Sequence, residues 1–444
     1  MKVSVLGVGY VGLVTGVCFA AKGHDCVCID VDKEKVDAIN RGESPIYEPG
    51  LPELLKSTIG RNLRATLDAR AAILESEMTF IAVGTPFDGK VIDLTYVKET
   101  ARIIGEVLRD KPGYHVVVVK STVVPGTTDQ VVRPILESIS GKKGGEDFGL
   151  GMNPEFLTEG EAIGDFMDPD RVVCGGIDER TQKALLSLYE PFPGERLSTN
   201  NTTAEMIKYA SNALLATLIS FSNEFANLAT ALGDVDAAEV MTGLHSSRYF
   251  TTPLENGKVV IPPITSFLMG GSGFGGSCLP KDVSALVAHG RSKGVPMNLL
   301  QAVLDINRGQ HERIFQLLGK HFDSLAGKRV AVLGLAFRPD TNDMRESPAI
   351  PVVKRLIAEG AKVVAYDPAA GHEAEKIFKD GIDCAQSLEA ALQGADAAVL
   401  VTRWAEFKRV PEILKQQGSN ALLVDGRRLI DKASVPRYEG IGLG

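Results

Sequence analysis

Positive charge, paired cysteine and long apolar runs are all scarce in this 444-residue chain, and each scarcity excludes a class of protein. Lys and Arg total 48 against 56 Asp and Glu, a net charge of −8, which argues against a nucleic-acid partner. A small anionic ligand held by local basic groups stays open. The six cysteines, Cys18, Cys26, Cys28, Cys174, Cys278 and Cys384, form no CxxC and no disulfide framework. No metal site is expected, and a reducing cytoplasm is the natural compartment. No apolar run reaches the roughly 18 residues of a membrane span. The longest candidate, "NALLATLISFSNEFANLATAL", is broken by Ser220, Ser222, Asn223, Glu224 and Asn227. It reads as a helix buried over much of its surface. The opening "MKVSVLGVGYVGLV" resembles a signal peptide only superficially, because no small-residue cleavage site follows.

What is present is alternation. At roughly 150 residues per domain, the length suggests about three domains. The apolar run Val3–Leu6 leads into Gly7-Val8-Gly9-Tyr10-Val11-Gly12, then a helical segment to Gly23, then "DCVCID" ending at Asp30. Further strands are expected at "MTFIAVGT" (78–85) and "HVVVVKST" (115–122). The C-terminal part repeats this plan with "RVAVLG" (329–334), a helix over 347–360, "KVVAYD" (362–367), "DAAVLVT" and "ALLVDGR". Ser347 is the expected cap of that helix. Strands alternating with helices imply parallel sheets. The fold expected is therefore α/β, with two doubly wound Rossmann-like domains joined by a central helical domain with a long helix. The domains are taken as 1–200, 201–320 and 321–444. Thr202 and Glu205 have the spacing of a capping box at the start of that long helix.

Gly7-x-Gly9-x-x-Gly12 is weak evidence alone. Between a strand and a helix, with Asp30 closing the next strand, it reads as a dinucleotide site. The first glycine permits the turn, the second admits the pyrophosphate, and the third lets helix and strand pack. Asp30 would bind a ribose diol and repel a 2′-phosphate, so NAD is expected over NADP. The second end domain keeps Gly334 but replaces the short turn with "LAFRPDTNDMRES", so it should not hold a second dinucleotide in the same way.

Three further features each admit a plain structural reading. Lys208 and Asn212 share a helix face by their spacing, which on its own suggests a solvated edge. Glu155, Glu159 and Glu161 in "NPEFLTEGEAI" could be a solvated turn or could include a general base. Cys278 follows a glycine run in "GGSGFGGSCLPKD". The glycines would leave room for a ligand to reach the sulfur. A helix starting near Pro280, together with Lys281, would favour the thiolate. A nicotinamide beside a thiolate suits oxidation of an alcohol to an acid through a thiohemiacetal and a thioester.

These segments resemble the nucleotide-sugar dehydrogenases of the UDP-glucose and GDP-mannose type. The resemblance is carried by "GVGYVG", "IYEPGL", "VGTP", "KSTVVPGT", "NPEFLTEG", "KYASN", "GFGGSCLPKD" and "GLAFRPDTNDMRES", in family order over almost the whole chain. It implies Cys278 as nucleophile, with Lys208 and Asn212 acting on the reacting oxygen. Asp282 would help activate the hydrolytic water. Glu155 would be an acid/base in hydrolysis, and Thr122 would lie near water and nicotinamide. It implies NAD contacts from Gly7, Gly9, Tyr10, Val11, Gly12, Asp30, Lys35, Thr85, Thr122, Glu159 and Arg345. Substrate contacts would come from Glu155, Phe156, Leu157, Lys208, Asn212, Phe267, the loop with Gly273, Phe274 and Gly275, Arg338 and Arg427. Arg248 matches an arginine that reaches a neighbouring subunit, so a homodimer built on the long helix is implied.

One departure from the family is "TTPLENGKVVIPPIT" (251–265), where Asn256-Gly257 suggests a small hairpin. "DFMDPDRVV" and "VDGRR" point to UDP-glucose as the substrate. GDP-mannose and a UDP-N-acetylhexosamine are the alternatives. A catalytically silent nucleotide-sugar-binding protein is the reading from another class, and it would not need Cys278, Lys208 and Asp282. A one-step hydroxyacid dehydrogenase would leave the cysteine loop without a use.

Overall fold

The computed structural model describes residues 1–254 and 258–444. The chain divides into two compact units, Met1–Ser211 and Asn212–Gly444. The boundary falls inside one helix, Asn201–Leu232.

The first unit is built on eight strands: β1 (Lys2–Leu6), β2 (Asp25–Ile29), β3 (Leu63–Thr66), β4 (Met78–Ile81), β5 (His115–Val119), β6 (Phe148–Met152), β7 (Arg171–Gly176) and β8 (Glu195–Thr199). Their order is β3-β2-β1-β4-β5-β6-β7-β8. β1 to β6 run parallel, and β7 pairs antiparallel with β6. Helices cover both faces, so β4 and β5 are buried along their whole length and read as continuous apolar runs. The strand order reverses between β1 and β4. A ligand crevice is therefore expected at their carboxyl ends, where the glycine turn follows β1.

The second unit holds a two-strand hairpin, β9 (Thr252–Pro253) with β10 (Val259–Val260), and a six-strand sheet. The Asn256-Gly257 turn expected between β9 and β10 lies outside the described residues. The sheet comprises β11 (Arg329–Leu333), β12 (Lys362–Tyr366), β13 (Asp383–Cys384), β14 (Ala397–Leu400), β15 (Leu422–Asp425) and β16 (Tyr438–Gly440). Its order, β13-β12-β11-β14-β15-β16, reproduces that of the first six strands, and all its pairs are parallel. The two doubly wound α/β domains expected from the sequence are present. The expected helix after β11 is Ala349–Ala358, but its N-cap is Pro348 without a side-chain cap bond and not the expected Ser347, whose Oγ accepts from Ala349 N at 3.2 Å.

Two further local expectations fail. The capping box at Thr202 does not form. Asn200 Oδ1 caps the long helix through Thr203 N at 2.8 Å. Glu205 instead turns to the loop after β5, accepting from Gly126 N at 2.5 Å, Thr128 N at 2.8 Å and Thr128 Oγ1 at 2.7 Å. Three distant donors outcompete one local backbone N–H. The long helix is also less buried than its composition suggested. Leu214, Phe221, Phe225, Leu228 and Leu232 are all exposed and share one face by their spacing. Among the described residues, no helix is long and apolar enough to cross a membrane.

Candidate active site

In the first unit the glycine turn takes the shape its three glycines predict. Gly7 has φ +96°, and a Cβ there would lie 2.7 Å from Ala82 O. A Cβ on Gly12 would lie 1.8 Å from Gly7 O, so the helix Tyr10–Ala21 could not approach β1. A Cβ on Gly9 would meet nothing within 4 Å. Gly9 is therefore the position where missing side-chain bulk serves a ligand instead of the protein. It precedes the helix without a side-chain cap, which leaves the N–H groups of Tyr10, Val11 and Gly12 for a pyrophosphate. Asp30 ends the β2 side of the crevice. Its Oδ2 accepts from Val8 N at 2.7 Å and its Oδ1 from Asp32 N at 3.0 Å, which fixes the carboxylate against the turn. These residues fit an NAD adenosine ribose and pyrophosphate. Lys35 lies one turn into the next helix, its Nζ 3.8 Å from Asp32. On the β4–β5 side, Thr85 Oγ1 donates to Thr122 O at 2.8 Å, joining two residues the resemblance placed at the cofactor.

The loop after β6 carries the acid. Glu155 is buried, its Oε1 3.0 Å from Lys208 Nζ, and its Oε2 accepts from Leu157 N at 2.7 Å. Burial pushes this carboxyl up, but the Lys208 ammonium and its hydrogen bond, with the Leu157 N–H and Lys120, together outweigh that and hold it below the usual range. Phe156 lies under two cations, 4.1 Å from the Arg171 guanidinium and 5.6 Å from Lys208 Nζ. Lys208 is thus no solvated edge, since it is 3% exposed. Leu157 and Glu159 are half-buried in the same loop, and Glu161 is exposed. Behind them Lys120 Nζ donates to Asn153 Oδ1 at 2.8 Å, and burial pushes this ammonium down to about 8. Sequence reasoning had assigned nothing to this buried pair.

In the second unit Cys278 is half-buried and precedes the helix Leu279–Ser292, with Pro280 in its first turn. Its carbonyl accepts Asp282 N at 2.8 Å, and its Sγ lies 3.6 Å from Ser277 Oγ. Asp282 is 1% exposed. Its two oxygens take Asn212 Nδ2 and Lys281 Nζ, each at 2.6 Å. Asn212 is therefore buried against a carboxylate and is not a solvated edge either. The charge of Lys281, expected to act on the thiol, is paired with Asp282 instead.

The glycines before Cys278 do not provide the open approach expected of them. Every one of them is packed against protein. A Cβ would lie 2.8 Å from Ala226 Cβ at Gly270, 2.9 Å from Gly426 O at Gly271, 2.7 Å from Asn307 Oδ1 at Gly273, 2.2 Å from Glu346 O at Gly275 and 2.7 Å from the Phe337 ring at Gly276. The run lets the cysteine loop press against the long helix and the last sheet's loops. Asn307 also holds Phe274, accepting from its N at 2.8 Å and donating to its O at 3.0 Å. Arg427 Nη1 reaches Gly273 O at 2.9 Å, and its Nε reaches Val401 O at 2.6 Å. Burial and then neighbouring Arg403 hold this guanidinium below its ordinary value.

The last domain closes the position equivalent to Asp30. Asp367, at the end of β12, is buried and accepts from Leu335 N, Ala336 N, Ala369 N, Ala370 N and Trp404 Nε1 at 2.7–3.1 Å. A carboxylate with five protein donors has no capacity left for a ribose diol. Arg338 is half-buried in the long turn after β11, and Arg345 Nη2 pairs with Asp343 Oδ2 at 2.6 Å. Phe267 ends the short helical turn Pro263–Phe267, and Arg248 is exposed beyond the helix Ala237–His245. Among the described residues, no cluster of His, Cys, Asp and Glu could hold a metal ion.

The chain matches the UDP-glucose/GDP-mannose dehydrogenase family in all three of its parts. These are the NAD binding domain over residues 1–193, the central domain over 202–309 and the UDP binding domain over 331–432. It is 42% identical to UDP-glucose 6-dehydrogenase AglM of Haloferax volcanii, over 99% of this chain and 100% of that protein. It is 40% identical to GDP-mannose 6-dehydrogenase of Azotobacter vinelandii, over 83% of this chain and 81% of that protein. A solved UDP-glucose dehydrogenase from Pyrobaculum islandicum superposes with a TM-score of 0.90 at 37% identity, covering 100% of this chain and 98% of that one. The chain belongs to the UDP-glucose/GDP-mannose dehydrogenase family, and NAD-dependent oxidation of a nucleotide sugar at C6 is the activity that membership carries.

Proposed function

We propose that the protein oxidises UDP-glucose to UDP-glucuronate through a thioester on Cys278. The observation that carries the mechanism is the buried Asn212–Asp282–Lys281 cluster, whose acid lies one helical turn beyond Cys278. A carboxylate this buried has a use beside a thiol that must be acylated and then hydrolysed. The UDP-glucose choice rests on a relative 42% identical over 99% of this chain, against GDP-mannose relatives 39–41% identical over 83–92% of it.

NAD, when bound at the glycine turn, supplies the acceptor for the two electrons and the hydrogen removed in each of two successive oxidations. The chain's own residues do the rest. As the aldehyde forms, the C6 hydroxyl passes its proton to a water held by Asp282, while the Lys208 ammonium and Asn212 donate to the C6 oxygen. The Cys278 thiolate adds to the aldehyde carbon, and its new C–S bond holds the intermediate against loss. The second oxidation leaves a thioester. Glu155 and Asp282 activate a water near Thr122; its oxygen adds to the thioester carbon, the C–S bond breaks, and the thiolate leaves.

Residues 1–200 hold NAD through Gly7, Gly9, Tyr10, Val11, Gly12, Asp30, Lys35, Thr85 and Glu159, with Arg345 from the last domain. Residues 201–320 supply the cysteine and the dimer helix. Residues 321–444 hold the sugar nucleotide, with Arg338 and Arg427. The apolar face of Leu214, Phe221, Phe225, Leu228 and Leu232 supports a homodimer. Arg248, beside the β9–β10 hairpin, would serve the neighbouring subunit's site. A cytoplasmic enzyme fits six free cysteines.

The test is NADH yield and acid product across UDP-glucose, GDP-mannose and UDP-N-acetylhexosamines, with Cys278→Ala alongside. UDP-glucose should be turned over fastest, with two NADH per acid. Cys278→Ala should still bind NADH but lose acid formation by several orders of magnitude. Near-normal acid from Cys278→Ala sinks the mechanism, and faster turnover of another sugar nucleotide sinks the substrate.

A further inference from the structure

The motif "IYEPGL" has a buried carboxylate at its centre that the mechanism above does not use. Glu48 is 3% exposed and lies in the loop between the helices Lys33–Asn40 and Leu51–Thr58. Its Oε1 accepts from Ala162 N at 2.8 Å, and its Oε2 accepts from Gly160 N at 2.8 Å and from the Tyr10 hydroxyl. Gly160 N also reaches Tyr10 Oη at 3.2 Å. Burial and then Glu48 itself push the Tyr10 hydroxyl far above its ordinary value, so it stays protonated and donates.

The two sets of donors belong to different parts of the site. Tyr10 is the first residue of the helix whose N-terminus faces the pyrophosphate. Gly160 and Ala162 close the loop that begins at Asn153 and carries Glu155, Phe156, Leu157 and Glu159. Gly160 sits at φ +91°, a backbone shape that needs glycine and presents its N–H to Glu48. One carboxylate therefore joins the start of the cofactor helix to the end of the acid loop. A displacement of either is felt by the other through charge-assisted bonds in a dry setting, where leaving one unmade is costly.

We propose that Glu48 is a positioning residue that couples NAD binding at the glycine turn to the arrangement of the 153–162 loop, and so to sugar-nucleotide binding. The proposal rests on the reading above that this loop serves the substrate. By linkage, NADH and the sugar nucleotide then change each other's affinity by one shared factor. A cap with a merely structural role would lower thermal stability and leave that factor alone.

The experiment is titration of UDP-glucose, by calorimetry, into the full-length enzyme with and without saturating NADH. That ternary complex cannot react. The wild type should show a coupling factor of about fivefold or more. Glu48→Gln cannot accept from all three donors and should bring the factor close to one while remaining folded by circular dichroism. Tyr10→Phe removes only the hydroxyl and should give an intermediate factor. A wild-type factor of one overturns the proposal, as does an unchanged factor in folded Glu48→Gln. Should Glu48→Gln not fold, an unchanged factor in Tyr10→Phe overturns it equally. If the enzyme turns over GDP-mannose in place of UDP-glucose, the substrate reading fails, and the same titration with GDP-mannose still decides the role of Glu48.

Discussion

Lys208 Nζ lies 3.0 Å from Glu155 Oε1, and both side chains are almost wholly buried, at 4% and 6% exposure. A buried pair gains little over an apolar pair, but losing one member strands the other charge. Lys208→Met should therefore cost about 3–5 kcal/mol at neutral pH. The sign with pH follows from Glu155, whose folded-state carboxyl is held below its ordinary value. Its stabilisation is present above the unfolded carboxyl range and is lost as pH falls through the depressed value. Without Lys208, burial reverses that shift, so the deficit of the variant should shrink as pH falls toward 4–5 and Glu155 takes up a proton. Lys208→Met with Glu155→Met should recover much of the stability and none of the turnover. Urea unfolding at pH 8 and pH 5 checks this, and an equal deficit at both counts against it.

Asp30 does two things. It braces Val8 N and Asp32 N, and in the proposed NAD site its charge would stand where the 2′-phosphate of NADP would lie. Asp30→Asn keeps an acceptor and removes the charge. The ratio of kcat/KM for NADP to that for NAD should rise about tenfold or more, ~1.4 kcal/mol. Equal use of the two cofactors by the unmutated enzyme would overturn this.

Gly9 and Gly275 should respond in opposite ways. A Cβ at Gly9 meets no protein atom, so Gly9→Ala should leave Tm within a few degrees and weaken NADH binding at least tenfold, or about 1.4 kcal/mol. A Cβ at Gly275 meets Glu346 O at 2.2 Å. Gly275→Ala should lower Tm and turnover while NADH affinity holds. Thermal melts and NADH fluorescence titrations read both. A destabilised Gly9→Ala or an unaltered Gly275→Ala would contradict the packing argument.

Glu205 is wholly buried, and burial pushes its carboxyl up to about 7 despite three donors from Gly126 and Thr128. A raised folded-state value means its contribution is fully present below the unfolded carboxyl value, near 4.3, and is lost as pH rises to about 7. The loss is ~4 kcal/mol at most. Glu205→Gln removes the titration. Its stability relative to wild type should therefore rise between pH 4.5 and pH 7.5, as followed by urea midpoints. A flat difference over that range would refute the assignment.

Much of the chemistry was legible along the chain because the signals are local. The strand, the glycine turn, the helix and Asp30 fall within thirty residues, and the steric needs of Gly7 and Gly12 are met by their near neighbours and β4. The repeated strands were legible as apolar runs long enough to be buried on both faces, while their order in each sheet is given by the fold. The positions of Cys278 before a helix and of Pro280 within its first turn were equally plain.

What the sequence could not decide depends on which distant group wins a contest. Spacing put Lys208 and Asn212 on one helix face, but only the folded chain brought Glu155 to one and Asp282 to the other. Glu205 had the local spacing of a cap and took three donors from the loop after β5 instead. The glycines before Cys278 looked like room for a ligand and proved to be room for Glu346, Gly426 and Phe337. Period and turn chemistry act between neighbours and are written in order. The partner of a buried charge, or the atom pressed against a missing side chain, is chosen by three-dimensional packing among residues some fifty or more positions apart, and order alone does not carry it.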